Sequence, residues 1–244
     1  MQTELGIQLL SPEVVVGEKT MKVSDKIRTR IIEAEAAYMA NDSIAHLLQP
    51  GETDELKIEI QSCIENLLDA LLINRTKDPN TRDTGARVAR MFIDEVMMGR
   101  FHKKPALTIF PNTKKLDQIY TIGPVEVRSM CSHHLVPILG QVWVGVIPGQ
   151  RLIGLSKFNR LAHWIFSRPQ IQEEAAIQLA DALEEELQPT GVALVVKADH
   201  MCMHWRGVKD HSSMTNSIMR GVFLANPSAK QEFLELIKGQ GYTS

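Results

Sequence analysis

Cysteine and histidine residues are concentrated at two points in the chain, where together they could bind a metal ion. The first is Cys131-Ser132-His133-His134 and the second is His200-Met201-Cys202. Thiolate and imidazole are the ligand types that zinc prefers. Cys131, Cys202 and one of His133 or His134 would supply three protein ligands and leave a fourth position for water, as in a catalytic zinc site. The alternative is a buried thiol beside incidental histidines.

The spacing of these residues suggests which histidine binds and which transfers protons. Residues three apart in a tight turn can converge on one ion, so Cys131 favours His134 as its co-ligand and leaves His133 for proton transfer. His200 is a second proton carrier, a partner of a metal ligand, or a polar residue at a strand end. Bound zinc would lower the pKa of a bound water towards about 7 and supply a nucleophile at neutral pH.

Cationic residues lie where an anionic substrate could bind. Ser156 is predicted to open a helix with Lys157 and Arg160 near its N-terminus, where positive charge opposes the helix dipole. A bound anion would relieve that conflict, since free amide N–H groups and both cations could converge on it. Ordinary surface charge is the alternative. Arg206 follows the second cysteine and strengthens the case for an anion.

Two further pairs of residues extend the predicted site. Glu173 and Gln172 lie in the first turn of a later helix, and a carboxylate there could accept from a group with two N–H donors. Arg87 and Arg90 are three apart and can face one side of an earlier helix, although their physical chemistry alone favours a solvated basic face. Physical chemistry alone therefore predicts zinc-assisted hydrolysis of a phosphorylated, purine-like small molecule.

The order of elements predicts an α+β fold with a mainly antiparallel sheet. Hydrophobic residues recur at helical spacing before residue 105 and alternate beyond it. Symmetric association into a closed barrel would remove the exposed edges of such a sheet. The predicted elements are a mobile arm over residues 1–23, helices 24–40, 53–71, 83–98, 156–166, 169–187 and 226–237, and strands 107–110, 125–130, 141–147, 152–155, 192–198 and 218–224.

Composition excludes several classes of protein. The chain has 244 residues, 44% hydrophobic residues and a net charge of −2, which is ordinary for a globular protein and gives no argument for nucleic-acid or membrane binding. No apolar stretch approaches the length needed to span a bilayer, and no secretory signal is visible. Three cysteines are too few for a disulfide framework and favour a reducing, cytoplasmic setting.

At these residues the sequence resembles GTP cyclohydrolase I, from about Thr53 to the C-terminus. Each motif could occur by chance, but all five in the family's order are specific. They are Asp83-Thr84-Gly85-Ala86-Arg87-Val88-Ala89-Arg90-Met91, Cys131-Ser132-His133-His134-Leu135-Val136-Pro137, Gly154-Leu155-Ser156-Lys157-Phe158-Asn159-Arg160, Arg168-Pro169-Gln170-Ile171-Gln172-Glu173, and His200-Met201-Cys202-Met203 with Arg206-Gly207.

The resemblance implies the tunnelling fold, in which antiparallel sheets of several subunits close a barrel, usually as a decamer with active sites between subunits. It implies conversion of GTP to 7,8-dihydroneopterin triphosphate and formate, the first step of pterin and tetrahydrofolate biosynthesis. The implied roles are zinc ligands at Cys131, His134 and Cys202, proton transfer by His133 and His200, guanine binding by Glu173 with Gln172, and triphosphate binding by Ser156, Lys157, Arg160 and Arg206, with Arg87 and Arg90 from a neighbouring subunit.

The sequence departs from the family pattern near these residues. Ser132 replaces a common glutamate, and Glu174 stands where a basic residue usually follows the guanine-binding glutamate. His204-Trp205 and the loop over residues 210–216 are also unusual. We expect an N-terminal arm and helix over residues 1–50, a helical part over 51–105 and a catalytic domain over 106–244. The rival interpretation is an altered or silent zinc-binding paralogue that acts as a regulatory oligomer.

Overall fold

The computed structural model describes residues 21–243, so most of the predicted N-terminal arm lies outside the described residues. Within these residues the chain forms nine α-helices and seven strands, and residues 91–96 continue α3 as a π-helix. The elements are α1 Val23–Glu33, α2 Glu52–Ala70, α3 Thr84–Arg90, α4 Met98–Phe101, β1 Ile109–Pro111, β2 Tyr120–Cys131, β3 Pro137–Ile147, β4 Arg151–Ile153, α5 Leu155–Phe166, β5 Pro169–Gln170, α6 Gln172–Leu187, β6 Gly191–His200, α7 Met201–His204, β7 Met214–Gly221, α8 Val222–Ala225 and α9 Pro227–Gly239.

The main sheet has the strand order β5-β2-β3-β6-β7. Four of these strands pair antiparallel, which confirms the predicted α+β plan, and the two-residue β5 is added in parallel to β2. A separate two-stranded sheet joins β1 to β4. Because β2, β3 and β6 are paired along most of their length, the end of β2 at Cys131 and the end of β6 at His200 lie at the same end of the sheet.

Helices cover both faces of the sheet. On one face, α5 and α6 pack on the alternating valines of β3 and on Val192, Leu194 and Val196 of β6. On the other face, α9 packs on Trp143, Ala193 and Val195. The period-two alternation along β3 and β6 therefore feeds two separate cores. Burial on both faces makes β6 a rigid support for the residues that follow it.

The N-terminal helices form a smaller core of their own, with Ile27 and Ile31 of α1 packed on Leu56 of α2. Glu52 at the start of α2 accepts two hydrogen bonds from the guanidinium of Arg30, at 2.9 and 2.6 Å. None of the helices within residues 21–243 has both the length and the apolar character needed to cross a membrane.

The first predicted helix, residues 24–40, is too long at its C-terminal end. α1 ends at Glu33, and Glu35 adopts a positive φ of 49° that stops the helix before Tyr38. Ser24 lies inside the helix, where its hydroxyl donates to Glu59 of α2 at 2.6 Å. Cys63, on α2, is exposed.

Three other boundaries differ because tertiary contacts override local preferences. Pro169 lies in β5, paired with Met130, and the next helix begins only at Gln172. The third predicted helix, residues 83–98, is divided into α3, the π-helix and α4, and Gly99 lies inside α4. A Cβ at Gly99 would lie 1.8 Å from the carbonyl oxygen of Trp164, so this contact requires glycine. The last predicted strand ends at Gly221 and is followed by the short helix α8.

Candidate metal centre and active site

A cysteine-histidine-cysteine cluster lies at the end of the sheet where β2 and β6 terminate. One ligand atom from each of Cys131, His134 and Cys202 lies within 4.8 Å of the others, close enough for all three to bind one ion. Cys131 is the last residue of β2 and is 4% exposed. Cys202 comes from α7, the single helical turn that follows β6.

A tight turn after β2 brings the two histidines back towards the thiol. The amide N–H of Leu135 donates to the carbonyl of Cys131 at 2.8 Å, and Leu135 has a φ of 53°. Nδ1 of His133 and Nδ1 of His134 then lie 3.8 and 3.9 Å from the Cys131 sulfur. Both histidines therefore flank the thiol, whereas His134 is the one grouped with the two cysteines.

The donor set fits a soft divalent cation such as zinc. Burial raises the pKa of the Cys202 thiol, and the neighbouring Cys131 sulfur raises it further. A cation between the two sulfur atoms would reverse this effect, since metal ligation deprotonates a thiol. Arg206 Nη1 lies 2.9 Å from Nε2 of His134. Because a guanidinium only donates, a metal bound through Nδ1 of His134 would require Arg206 to give up this contact.

His200 is held by Gln172 through a 2.9 Å hydrogen bond between Nε2 of the imidazole and Oε1 of the amide. The Nε2 of Gln172 donates to Asn216 Oδ1 at 2.7 Å and to two backbone carbonyls of β6 and β7. With the amide oriented in this way, Oε1 accepts and His200 Nε2 carries the proton. Burial lowers the pKa of His200, and Glu173 opposes that shift. His200 is thus held as a neutral, oriented imidazole.

Gln172 and Glu173 are adjacent but differ in their surroundings. Gln172 is 2% exposed and uses both ends of its amide within the protein. Glu173 is exposed in the first turn of α6, where a carboxylate is favoured by the helix dipole. Of the two residues predicted to bind guanine, only Glu173 has a side chain open to a ligand in this structure.

Three of the predicted phosphate-binding residues, Ser156, Lys157 and Arg160, lie on α5 away from the metal cluster, whereas Arg206 contacts His134 within the cluster. Ser156 lines a surface cavity with Val125, near the start of β2. The stretch from Val125 to Cys131 spans about 20 Å at the usual rise of a strand. Lys157 points to a local partner, donating to the carbonyl of Ala106 at 3.0 Å. A single protomer therefore keeps the N-terminus of α5 apart from the cysteine-histidine-cysteine cluster.

The two arginines of α3 are not gathered with the metal cluster either. Arg87 lies 3.6 Å from Asp83, and both side chains are largely exposed.

Three residues that support the site were not predicted from the sequence, namely Asn216, Arg168 and Asn41. Asn216 had a usable signal, because it alternates with Met214 and Ile218 on the inward side of β7. The position of Asn41 depends on a contact across more than a hundred residues, for which no local pattern exists.

The fold and the site together define a mixed α+β protein with a candidate catalytic metal centre at one end of an antiparallel sheet. A family model of GTP cyclohydrolase I matches residues 60–238. The chain belongs to the GTP cyclohydrolase I family. This confirms the resemblance carried by the five sequence motifs.

Curated relatives named GTP cyclohydrolase 1 match most of the chain. The protein of Flavobacterium johnsoniae is 39% identical over 188 residues, which cover 76% of this chain and 84% of the relative. The protein of Shewanella denitrificans is 35% identical over 76% of this chain and 86% of the relative. The protein of Haemophilus ducreyi is 32% identical over 91% of this chain and 98% of the relative.

Among solved structures, the archaeosine synthase QueF-Like in the apo form matches 49% of this chain and 97% of that chain. The TM-score is 0.33 at 17% identity, a likeness too low to support any conclusion.

Proposed function

We propose that this chain is a zinc-dependent GTP cyclohydrolase I that converts GTP and water to formate and 7,8-dihydroneopterin triphosphate, the first step of pterin and tetrahydrofolate biosynthesis. The observation that carries the proposal is the convergence of Cys131, His134 and Cys202 within 4.8 Å, in a chain of this family. Water is consumed twice, once to open the purine ring at C8 and once to release C8 as formate. The final ring closure, after rearrangement of the ribose, returns one water.

Zinc held by the two cysteines and His134 would supply a water-derived nucleophile at neutral pH. His133, whose Nδ1 lies 3.8 Å from the Cys131 sulfur, is close enough to the cluster to move a proton at the purine ring nitrogen. His200 is the second proton carrier, and its contact with Gln172 keeps the imidazole in one orientation. Proton transfers of this kind are each worth about 10²–10⁴-fold in rate.

Substrate recognition would divide between the two ends of the protomer. Glu173 accepts hydrogen bonds from the two N–H donors of the guanine edge. Gln172 supports Glu173 because its side-chain amide fixes the start of α6 to β6 and β7. Ser156, Lys157 and Arg160 bind the triphosphate, with Arg206, and with Arg87 and Arg90 from a neighbouring subunit. The separation of α5 from the metal cluster supports active sites shared between copies, in a homo-oligomer such as a decamer.

The proposed organisation is an N-terminal arm and helix over residues 1–50, a helical part over 51–105 and a catalytic domain over 106–244. The separate cores of the N-terminal helices and the sheet support the boundary near residue 105, whereas α1 and α2 share one core across residue 50. The cysteine content supports a reducing, cytoplasmic setting. The partners proposed are GTP and further copies of the chain, without nucleic acid or membrane.

The test is to incubate metal-analysed protein with GTP and to follow formate and pterin fluorescence together. Wild type should carry about one zinc per subunit and release formate and pterin in equal amounts. Cys131→Ala should lose both products, whereas Cys63→Ala, a substitution of an exposed cysteine, should lose neither. Zinc binding without formate would refute the proposal and favour a silent regulatory paralogue.

A mixing experiment tests whether two copies build each site. An oligomer made only of Cys131→Ala subunits should be inactive, and so should one made only of Lys157→Ala subunits. Dissociating the two variants, mixing them and reassembling should restore activity, because some sites then receive an intact cluster and an intact phosphate-binding helix. Lys114→Ala, an exposed lysine substitution, serves as the matched control. No recovery on mixing would place all residues of a site in one copy.

A further inference from the structure

The turn that leads into α6 is the part of the site that must be positioned most accurately, because it carries Gln172 and Glu173. On its inner side the turn is fixed to β2, since the hydroxyl of Ser129 donates to the carbonyl of Arg168 at 3.3 Å. The buried amide of Gln170 adds a 2.8 Å hydrogen bond to the carbonyl of Ile165. These contacts hold one side of the turn and leave the opposite side to other parts of the chain.

Asn41 holds that opposite side, and it contacts both ends of the turn. Its backbone carbonyl accepts from Nη1 of Arg168 at 2.9 Å. Its side-chain Nδ2 donates to Oε2 of Glu174 at 2.9 Å. Arg168 and Glu174 bracket the turn, so one residue of the N-terminal region bridges its two ends across more than a hundred residues of sequence.

The segment around Asn41 is itself fixed, so the bridge is anchored rather than loose. Nη1 of Arg100 donates to the carbonyls of Met39 at 2.5 Å and Asp42 at 3.0 Å. The amide N–H of Met39 donates to the Asp42 carboxylate at 2.7 Å. The amide N–H of Ile44 donates back to the carbonyl of Arg100 at 2.9 Å. Four hydrogen bonds therefore tie residues 39–44 to one another and to α4.

Arg168 depends on this segment because it is a buried cation whose hydrogen-bond acceptors are neutral. It is 4% exposed, and burial lowers its pKa to about 10. Besides the Asn41 carbonyl it donates to the carbonyl of Gly99 at 3.1 Å and to Gln178 Oε1 at 3.0 Å. Its guanidinium also lies 4.0 Å from the centre of the Trp164 ring. Losing any of these oxygen atoms would leave a buried charge poorly compensated.

We propose that Asn41 is a positioning residue for substrate binding, which holds the Arg168–Glu174 turn so that Glu173 can receive the guanine edge. The proposal rests on the function proposed above. It also gives a role to Glu174, one of the departures from the family pattern, because a carboxylate there supplies the acceptor that the Asn41 amide uses. The N-terminal region thereby contributes to GTP affinity without touching GTP.

The test changes the charge on each member of the Asn41–Glu174 pair in turn, in the full-length enzyme. Asn41→Asp puts a carboxylate opposite Glu174 and should raise the KM for GTP about fivefold while kcat changes less than twofold, since a hydrogen bond of this kind is worth a few-fold to about tenfold. Asn41→Asp combined with Glu174→Lys restores an attractive pair and should return the KM to within about twofold of wild type. Asn66→Asp adds the same charge at an exposed position on α2 and should leave the KM unchanged.

Backbone hydrogen exchange over residues 170–175 gives a readout that does not need catalysis. Exchange should be faster in Asn41→Asp and should recover in the double variant. An unchanged KM in Asn41→Asp, or a double variant as impaired as the single one, would overturn the proposal even if exchange changes. If wild type releases no formate, the proposed function fails by itself. In that case unchanged exchange in Asn41→Asp would also refute the bridge.

Discussion

Replacing Gln172 distinguishes two roles for this residue. The family resemblance makes it a guanine-binding residue, and the structure joins it to His200 through a 2.9 Å hydrogen bond. Gln172→Ala removes the acceptor that keeps the His200 imidazole in one orientation. We therefore expect the variant to lose mainly kcat, because the interaction it removes orients the proposed proton carrier. A guanine-binding role predicts a higher KM with little change in kcat.

The magnitude follows from the contacts that are lost. One hydrogen bond to an oriented imidazole is worth about 1–1.5 kcal/mol net, which is about a tenfold decrease in kcat. Deleting His200 itself should cost about 10²–10⁴-fold. Asn216→Ala should reproduce part of the Gln172→Ala effect, because the 2.7 Å bond from Gln172 Nε2 to Asn216 Oδ1 sets which end of the amide faces His200.

Steady-state formate release at saturating GTP gives kcat, and titration of GTP gives KM. Ser217→Ala, which changes the exposed neighbour of Asn216 on β7, is the control for general damage to the strand. In a His200→Ala background, Gln172→Ala should add almost nothing to the loss of kcat. Independent, multiplicative effects of the two substitutions, or a pure KM effect in Gln172→Ala, would refute the orienting role.

Three further predictions concern the metal and the stability of the fold. Cys202→Ser should lower bound zinc, measured by elemental analysis, by at least tenfold, and full zinc occupancy would count against this ligand. Arg30 holds the pKa of Glu52 below its usual range, so this pair stabilises the fold above the unfolded carboxyl pKa of about 4.3 and stops doing so as the pH falls through the folded value. In urea unfolding, Glu52→Gln should make the free energy of unfolding fall less steeply as the pH is lowered. An unchanged dependence on pH would contradict this prediction. Gly145→Ala should lower the free energy of unfolding by about 1–3 kcal/mol, because its Cβ would lie 2.5 Å from the Phe233 ring, and an unchanged midpoint would show that the ring moves aside.

The alternation of the strands made much of the sheet predictable. A strand was predicted over residues 141–147, and its residues Val142, Val144 and Val146 share one face in the core under α5 and α6. The last helix was predicted to begin at residue 226, and the side chain of Asn226 accepts hydrogen bonds from two backbone amides there. Both signals are local, since a period of two and a capping residue act within a few positions of sequence.

The positions that could not be predicted depend on contacts between distant parts of the chain. Pro169 suits the first turn of a helix, but pairing with Met130 places it in a strand. Tyr38 continued a helical pattern, yet the helix ends before it. Gln172 was expected to face a ligand, and only the positions of β6 and β7 reveal that its amide is used within the protein.

The burial of β6 on both faces has a consequence for how the sequence can change over time. His200 ends this strand, and the α7 turn with Cys202 follows directly, so both are carried by the best protected part of the sheet. The loop over residues 207–213 begins beyond them and beyond Arg206, and it is exposed. Insertions, deletions or altered charge in that loop should be tolerated without moving His200. By contrast, one substitution that changes the side-chain volume at the buried Val195 should displace β6 and with it His200. Sequence drift is thus directed to the rim of the site and away from its chemistry.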